Sequence, residues 1–81
     1  MGEYMKIEVF GIGCARCKIL EENVRKAVKE SGVKAEIVKI QDIEIMIKRG
    51  VKFPPALFID GKEVAAGRVP DVKEIKKMLV H

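Results

Sequence analysis

The chain has 81 residues, enough for one small hydrophobic core but not for two, so a single domain over residues 1–81 is expected. Hydrophobic residues make up 48% and charged residues 35%, which is a globular rather than a disordered balance. The net charge of +4 is spread over several segments, and with one Tyr, three Phe and no Trp there is little to stack on bases, so nucleic acid is not an expected partner.

No apolar run approaches the ~20 residues of a membrane span, so no membrane association is expected. Charges interrupt the N-terminal "MGEYMKIEVF" and no cleavage site follows it, so it does not read as an export signal. Lys6 stands where myristoylation would need Ser or Thr. The expected compartment is therefore the cytoplasm, whose reducing conditions work against a purely structural disulfide.

In chain order, "YMKIEVF" alternates at Met5, Ile7 and Val9 and predicts a strand. After "GIG", the run from Cys14 to Ser31 has helical spacing, with Cys17, Leu20, Val24, Ala27 and Val28 on one stripe. Glu21 with Arg25 and Glu22 with Lys26 are favourable i,i+4 pairs on the other side, and Gly32 ends the run. "VKAEIVKI" alternates as a second strand. "DIEIMIKRG" has strand-like alternation at Ile43, Ile45 and Ile47, but the Asp42 cap, Lys48 and Arg49 in a last turn and a terminating Gly50 predict a short helix. "ALFID" reads as a strand covered on both faces, and Asp60-Gly61 as a tight turn into a hairpin strand, "KEVAAG". Asp71 and Glu74 predict a capping box for a closing helix with Val72, Ile75 and Leu79 inward.

The expected fold class is α/β with the order β-α-β-α-β-β-α. Strand-helix-strand gives a parallel pair with a right-handed crossover and the last two strands an antiparallel hairpin, so one mixed four-stranded sheet with helices on both faces follows. The loop after the first strand then opens at a sheet end, where sites of open α/β sheets tend to lie.

Both cysteines of the chain, Cys14 and Cys17, fall at that loop and three residues apart. A bridge across two residues would restrain the unfolded chain very little, so a structural staple is a weak reading. The unpaired amides and positive dipole end of the helix favour a thiolate, and Arg16 and Lys18 add positive charge. Cys14 at the helix entrance is thus the candidate nucleophile, stabilised by Arg16, and Cys17 the candidate resolving thiol.

With C-x-x-C entering a helix, followed by a second strand and "PPALFIDG", the chain resembles the thioredoxin superfamily, in particular its small, glutaredoxin-sized members, from about Lys6 to Leu79. "GCARC", Gly50-Val51 and "GRVP" at Gly67–Pro70 add to the likeness. The resemblance implies a thiol–disulfide oxidoreductase that reduces protein or small disulfides and is recharged by a separate thioredoxin-reductase-type donor. The redox couple it implies is the Cys14–Cys17 pair, with no cofactor and no metal expected. It also implies a cis Pro55 opposite the C-x-x-C and a substrate groove bordered by Ile12, Phe53 and Pro54. Pro54 replaces the Thr common in the family and lacks the N–H that would pair with an extended substrate. Ala15-Arg16 stands in place of Gly-Pro, and no Trp precedes the cysteines. Glu8, six residues before Cys14, is the candidate proton acceptor, although an alternating strand position reads first as the wetter face. Pro54 and Pro70 depart from the glutathione-binding pattern, so no glutathione site is expected.

The alternative reading is a soft-metal module of the copper-chaperone type, since two thiolates after a first strand suit Cu(I). That family ends in a strand, whereas "PDVKEIKKMLV" reads as a capped helix. Structural zinc would need four ligands, and beyond the two cysteines the chain offers only His81.

Overall fold

The computed structural model describes residues 4–13 and 15–79, and seven elements follow one another within them. These are β1 (Met5–Phe10), α1 (Ala15–Ser31), β2 (Ala35–Ile40), α2 (Ile43–Lys48), β3 (Ala56–Ile59), β4 (Lys62–Ala66) and α3 (Val72–Leu79). The four strands form one sheet in the order β2-β1-β3-β4. β1 runs parallel to β2, while β1 with β3 and β3 with β4 are antiparallel, so the sheet is mixed as the element order requires.

The period-2 pattern of β1 divides the core between two faces. Ile7 and Val9, with Leu57 and Ile59 of β3, pack with Leu20, Val24 and Ala27 of α1 and with Ile75 and Leu79 of α3. Phe10, Ala56 and Phe58 face the other way and are covered by Met46 of α2 and by Val51. β3 is buried along its whole length, as a continuous apolar run between two helical layers should be.

The end signals act locally. Asp42 Oδ1 accepts from the Glu44 and Ile45 amides at 2.8 and 3.4 Å, so α2 is a capped helix. Its three isoleucines, Ile43, Ile45 and Ile47, are exposed and only Met46 is buried, so their alternation marks no strand. The hairpin turn places Asp60 at φ 52° and Gly61 at φ 82°, the paired positive values of the turn that matches strand twist. Asp60 also returns to β1, where its Oδ1 accepts from the Lys6 amide at 2.9 Å.

Two expected side-chain pairings differ. Asp71 Oδ1 accepts from the Glu74 amide at 2.8 Å, which is half of the capping box. The Glu74 carboxylate instead pairs with both terminal nitrogens of Arg68, at 3.0 and 2.7 Å, because a two-pronged guanidinium outcompetes a single amide. On α1, Glu21 pairs with Arg25 at 2.9 Å and also with Lys39 of β2 at 3.3 Å, whereas Glu22 and Lys26 form no ion pair. Among the described residues no helix is long and apolar enough to cross a membrane.

Leu20 is fully buried and its neighbour Ile19 is half-exposed. Leu20→Ala should therefore cost about 2–5 kcal/mol in denaturant unfolding, and Ile19→Ala about 0.5 kcal/mol or less.

Candidate functional site

Strand register assembles the site. Phe10 of β1 lies opposite Ala56 of β3, so the residues one step beyond, Gly11 and Pro55, emerge side by side at one end of the sheet. β2, parallel to β1, ends there too, and its Ile40 carbonyl accepts from the Gly11 amide at 3.0 Å. The chain then passes through Ile12 and Gly13 into α1. Cys14 lies outside the described residues, as does His81.

Cys17 is the third residue of α1 and is 3% exposed. Its side chain fills the space a side chain on Gly11 would need, since a Cβ there would collide with Cys17 Sγ and lie 2.7 Å from Cys17 Cβ. Gly11 is thus required by the closeness of the helix. The first turn of α1 carries no acidic residue, so nothing there offsets the positive end of the helix dipole.

Pro55 is fully buried and the Pro54–Pro55 peptide bond is cis. The Pro55 carbonyl accepts from the Gly67 amide at 2.9 Å. Arg16 reaches the same glycine from α1, with Nη2 donating to the Gly67 carbonyl at 3.0 Å. Gly67 thus links the start of α1 to the segment before β3. Ile12 and Phe53 are 59% and 68% exposed and Pro54 is exposed, so the three expected groove residues all face solvent. A Cβ on Gly67 would come within 3.2 Å of Phe53 Cβ, so this glycine leaves room for the aromatic side chain. A hollow of about 480 Å³ lined by Glu30, Val72, Lys73, Lys76 and Lys77 lies at the far end of α1, away from these residues.

Glu8 is not on a wet face: it is 3% exposed. It shares the Phe10 side of β1, and Arg49, the C-cap of α2, folds over it. Arg49 Nη1 and Nη2 donate to Glu8 Oε2 and Oε1 at 2.8 and 2.7 Å, and the guanidinium lies 5.4 and 5.0 Å from the Phe10 and Phe58 ring centres. The hydrogen bonds from Arg49 hold the Glu8 carboxyl below its usual 4.5, outweighing burial, which acts the other way. In return, the bond to Glu8 raises the Arg49 pKa. Sequence reasoning took Arg49 only as a last-turn cation and did not find this partner 41 residues away.

Residues 5–80 match the Thioredoxin domain family. The chain is 45% identical over 75 residues to a thioredoxin of Methanothermobacter thermautotrophicus, covering 93% of this chain and 97% of that one. It is 44% identical over 73 residues to a thioredoxin of Methanocaldococcus jannaschii, covering 90% and 84%. Among solved structures, thioredoxin-2 of the malaria parasite superposes with a TM-score of 0.77 at 16% identity, covering 98% of this chain and 84% of that one. Thioredoxin 1 of Thermosipho africanus gives 0.64 at 20% identity, covering 91% and 89%. At those identities the structures speak for the fold.

A folded-state pKa below the unfolded one means that the Glu8 contribution to stability is complete above about pH 4.5 and is lost as pH falls through the lowered value. Arg49→Met should remove this dependence and leave the buried carboxyl unpaired, moving its titration above the usual value. Carboxyl-carbon NMR of Glu8 reads the direction, and a titration still below 4.5 in the variant would refute the assignment.

Proposed function

The chain belongs to the thioredoxin family, and from that premise we propose that Cys14 and Cys17 form a dithiol that reduces disulfides of proteins and small molecules. The relatives support thiol–disulfide oxidoreductase activity in general, and thioredoxins carry their redox couple in the chain and need no cofactor. The observation that carries the finer reading is the position of Cys17, buried in the first turn of α1 against a glycine that no other residue could replace without a collision.

In this reading the Cys14 thiolate attacks one sulfur of the substrate disulfide. A mixed disulfide forms and the first substrate thiolate leaves. Cys17 gives up its proton and attacks the Cys14 sulfur, the mixed disulfide breaks, and the second substrate thiol is released. Two electrons and the Cys17 proton pass to the substrate, and the thiolate released first takes its proton from water. The protein is left with a Cys14–Cys17 disulfide for a separate thioredoxin-reductase-type donor to reduce. The positive end of α1, with Arg16 and Lys18, favours the attacking thiolate, and shielding of Cys17 keeps it for the second step.

For Glu8, expected as a candidate proton acceptor, the same reading favours a different role. Both its oxygens accept from Arg49 and its affinity for a proton is lowered, so it serves better as a fixed ion supporting β1 and α2. The copper-module alternative gains no support, since the chain closes on α3 and not on a strand. A single domain in the cytoplasm, acting without glutathione, fits the same reading.

Cys17→Ser should accumulate a mixed disulfide with a peptide substrate, visible as a mass adduct, and Cys14→Ser should be inert. An adduct on Cys17 in the Cys14→Ser variant would reverse the two roles.

Pro54 gives a second prediction, since it offers an extended substrate a C=O but no N–H. One net hydrogen bond contributes about 0.5–1.5 kcal/mol, so Pro54→Thr should lower the KM for a peptide disulfide by a few-fold to about tenfold. The rate with a small disulfide reagent should change little, and equal effects on both substrates would leave Pro54 as a loop stiffener only.

A further inference from the structure

Three parts of the chain meet at this end of the sheet: residues 10–13 with 15–20, residues 51–59 and residues 65–70. Together they contain Arg16, Lys18, Lys52 and Arg68 and no Asp or Glu. Arg68 is neutralised by Glu74. Arg16, Lys18 and Lys52 form no ion pair with any described carboxylate, while Arg25, Lys39, Arg49, Arg68 and Lys76 all do. The nearby Asp42 uses Oδ1 to cap α2. The apolar side chains of Ile12 and Phe53 stand exposed on the same end of the sheet as Arg16, Lys18 and Lys52. None of these three cations makes an ion pair with a described carboxylate, although Glu21 and Glu22 follow one turn after Lys18 on α1.

Arg16 makes its single hydrogen bond to a backbone carbonyl, that of Gly67. That bond uses one of five guanidinium N–H donors, and the planar fork is the side chain best suited to a carboxylate. A second copy of this chain would bring the same cations face to face, so a self-association through this surface is disfavoured.

Resting on the disulfide-reductase reading, we propose that Arg16 is a specificity residue of the groove. It is strapped to Gly67 while the groove is empty and pairs with an acidic side chain next to the substrate's disulfide cysteine. The preferred substrates are disulfide peptides and proteins with Asp or Glu beside that cysteine and an apolar residue for Ile12 and Phe53. Lys18 and Lys52 extend the attraction over the approaching surface.

The test uses the reduced wild-type protein and three blocked peptide disulfides that differ only at the residue beside cysteine, as Asp, Asn or Lys. Exposed charge pairs contribute modestly, so kcat/KM should favour Asp over Lys by about three- to tenfold at low ionic strength, and less at high salt. Arg16→Gln should remove most of the preference, leaving only the small part that Lys18 and Lys52 supply. Lys29→Gln, about 20 Å further along α1, should leave it unchanged. Because the readout is a ratio of two substrates, any effect of Arg16 on thiolate reactivity cancels. Equal rates for the three peptides with wild type, or an undiminished preference in Arg16→Gln, would overturn the proposal. Wild-type reduction of neutral hydroxyethyl disulfide checks the parent reading separately. Failure there sinks both, whereas success there with equal peptide rates sinks only this one.

Discussion

The contact between Cys17 and Gly11 sets the geometry of the whole reactive end. A helix can approach the end of a strand this closely only if one partner lacks a side chain, and Gly11 supplies that. The closeness brings the first turn of α1 beside the strand end where Pro55 also emerges, through the Phe10–Ala56 pairing. It also brings Arg16 within reach of Gly67, whose amide is already held by Pro55. One missing Cβ thus permits three chain segments to converge, and the remaining core only has to hold β1, β3 and α1 in place. Leu20, Val24 and Ala27 do so, following Cys17 along one buried stripe of the helix.

On the opposite face, the Glu8–Arg49 pair does a different job. A carboxylate in the middle strand of a sheet is costly unless paired, and removing its partner leaves a buried charge. Arg49 satisfies both oxygens and also covers Phe10 and Phe58, so polar and aromatic contacts hold the short α2 where it buries only Met46. The pair also consumes the one acid of β1, Glu8, so that carboxylate is committed to Arg49 and not to the cations at the sheet end.

What could be read from the sequence was whatever depends on neighbours within one turn or one strand step. The stripe of α1, the Asp42 cap and the Asp60-Gly61 turn are all of this kind, and each reappears in the structure. Long-range partners could not be read. Alternation put Glu8 on the face opposite Ile7 and Val9, but not that Arg49 would close over it from 41 residues away. Likewise Glu74 was legible as a cap residue, but Arg68, six residues before it, lay outside helical spacing and took its carboxylate. At the site, the cysteine spacing was legible as a candidate dithiol, and of the two Cys17 is found buried in the first turn of α1. The need for Gly11 and the hold of Arg16 on Gly67 depend on a packing distance and a 51-residue separation that no local pattern encodes.

The arrangement separates two uses of charge. A buried ion pair in a fixed two-pronged geometry contributes rigidity, and in Glu8 and Arg49 each member favours the charged form of the other. Exposed cations without carboxylate partners contribute little to stability, so nothing in folding selects their position. Arg16 is of the second kind, yet it is held in place by one hydrogen bond from a long side chain to a carbonyl. A contact that weak can open at small cost, which is what the proposed exchange of a backbone acceptor for a substrate's carboxylate requires.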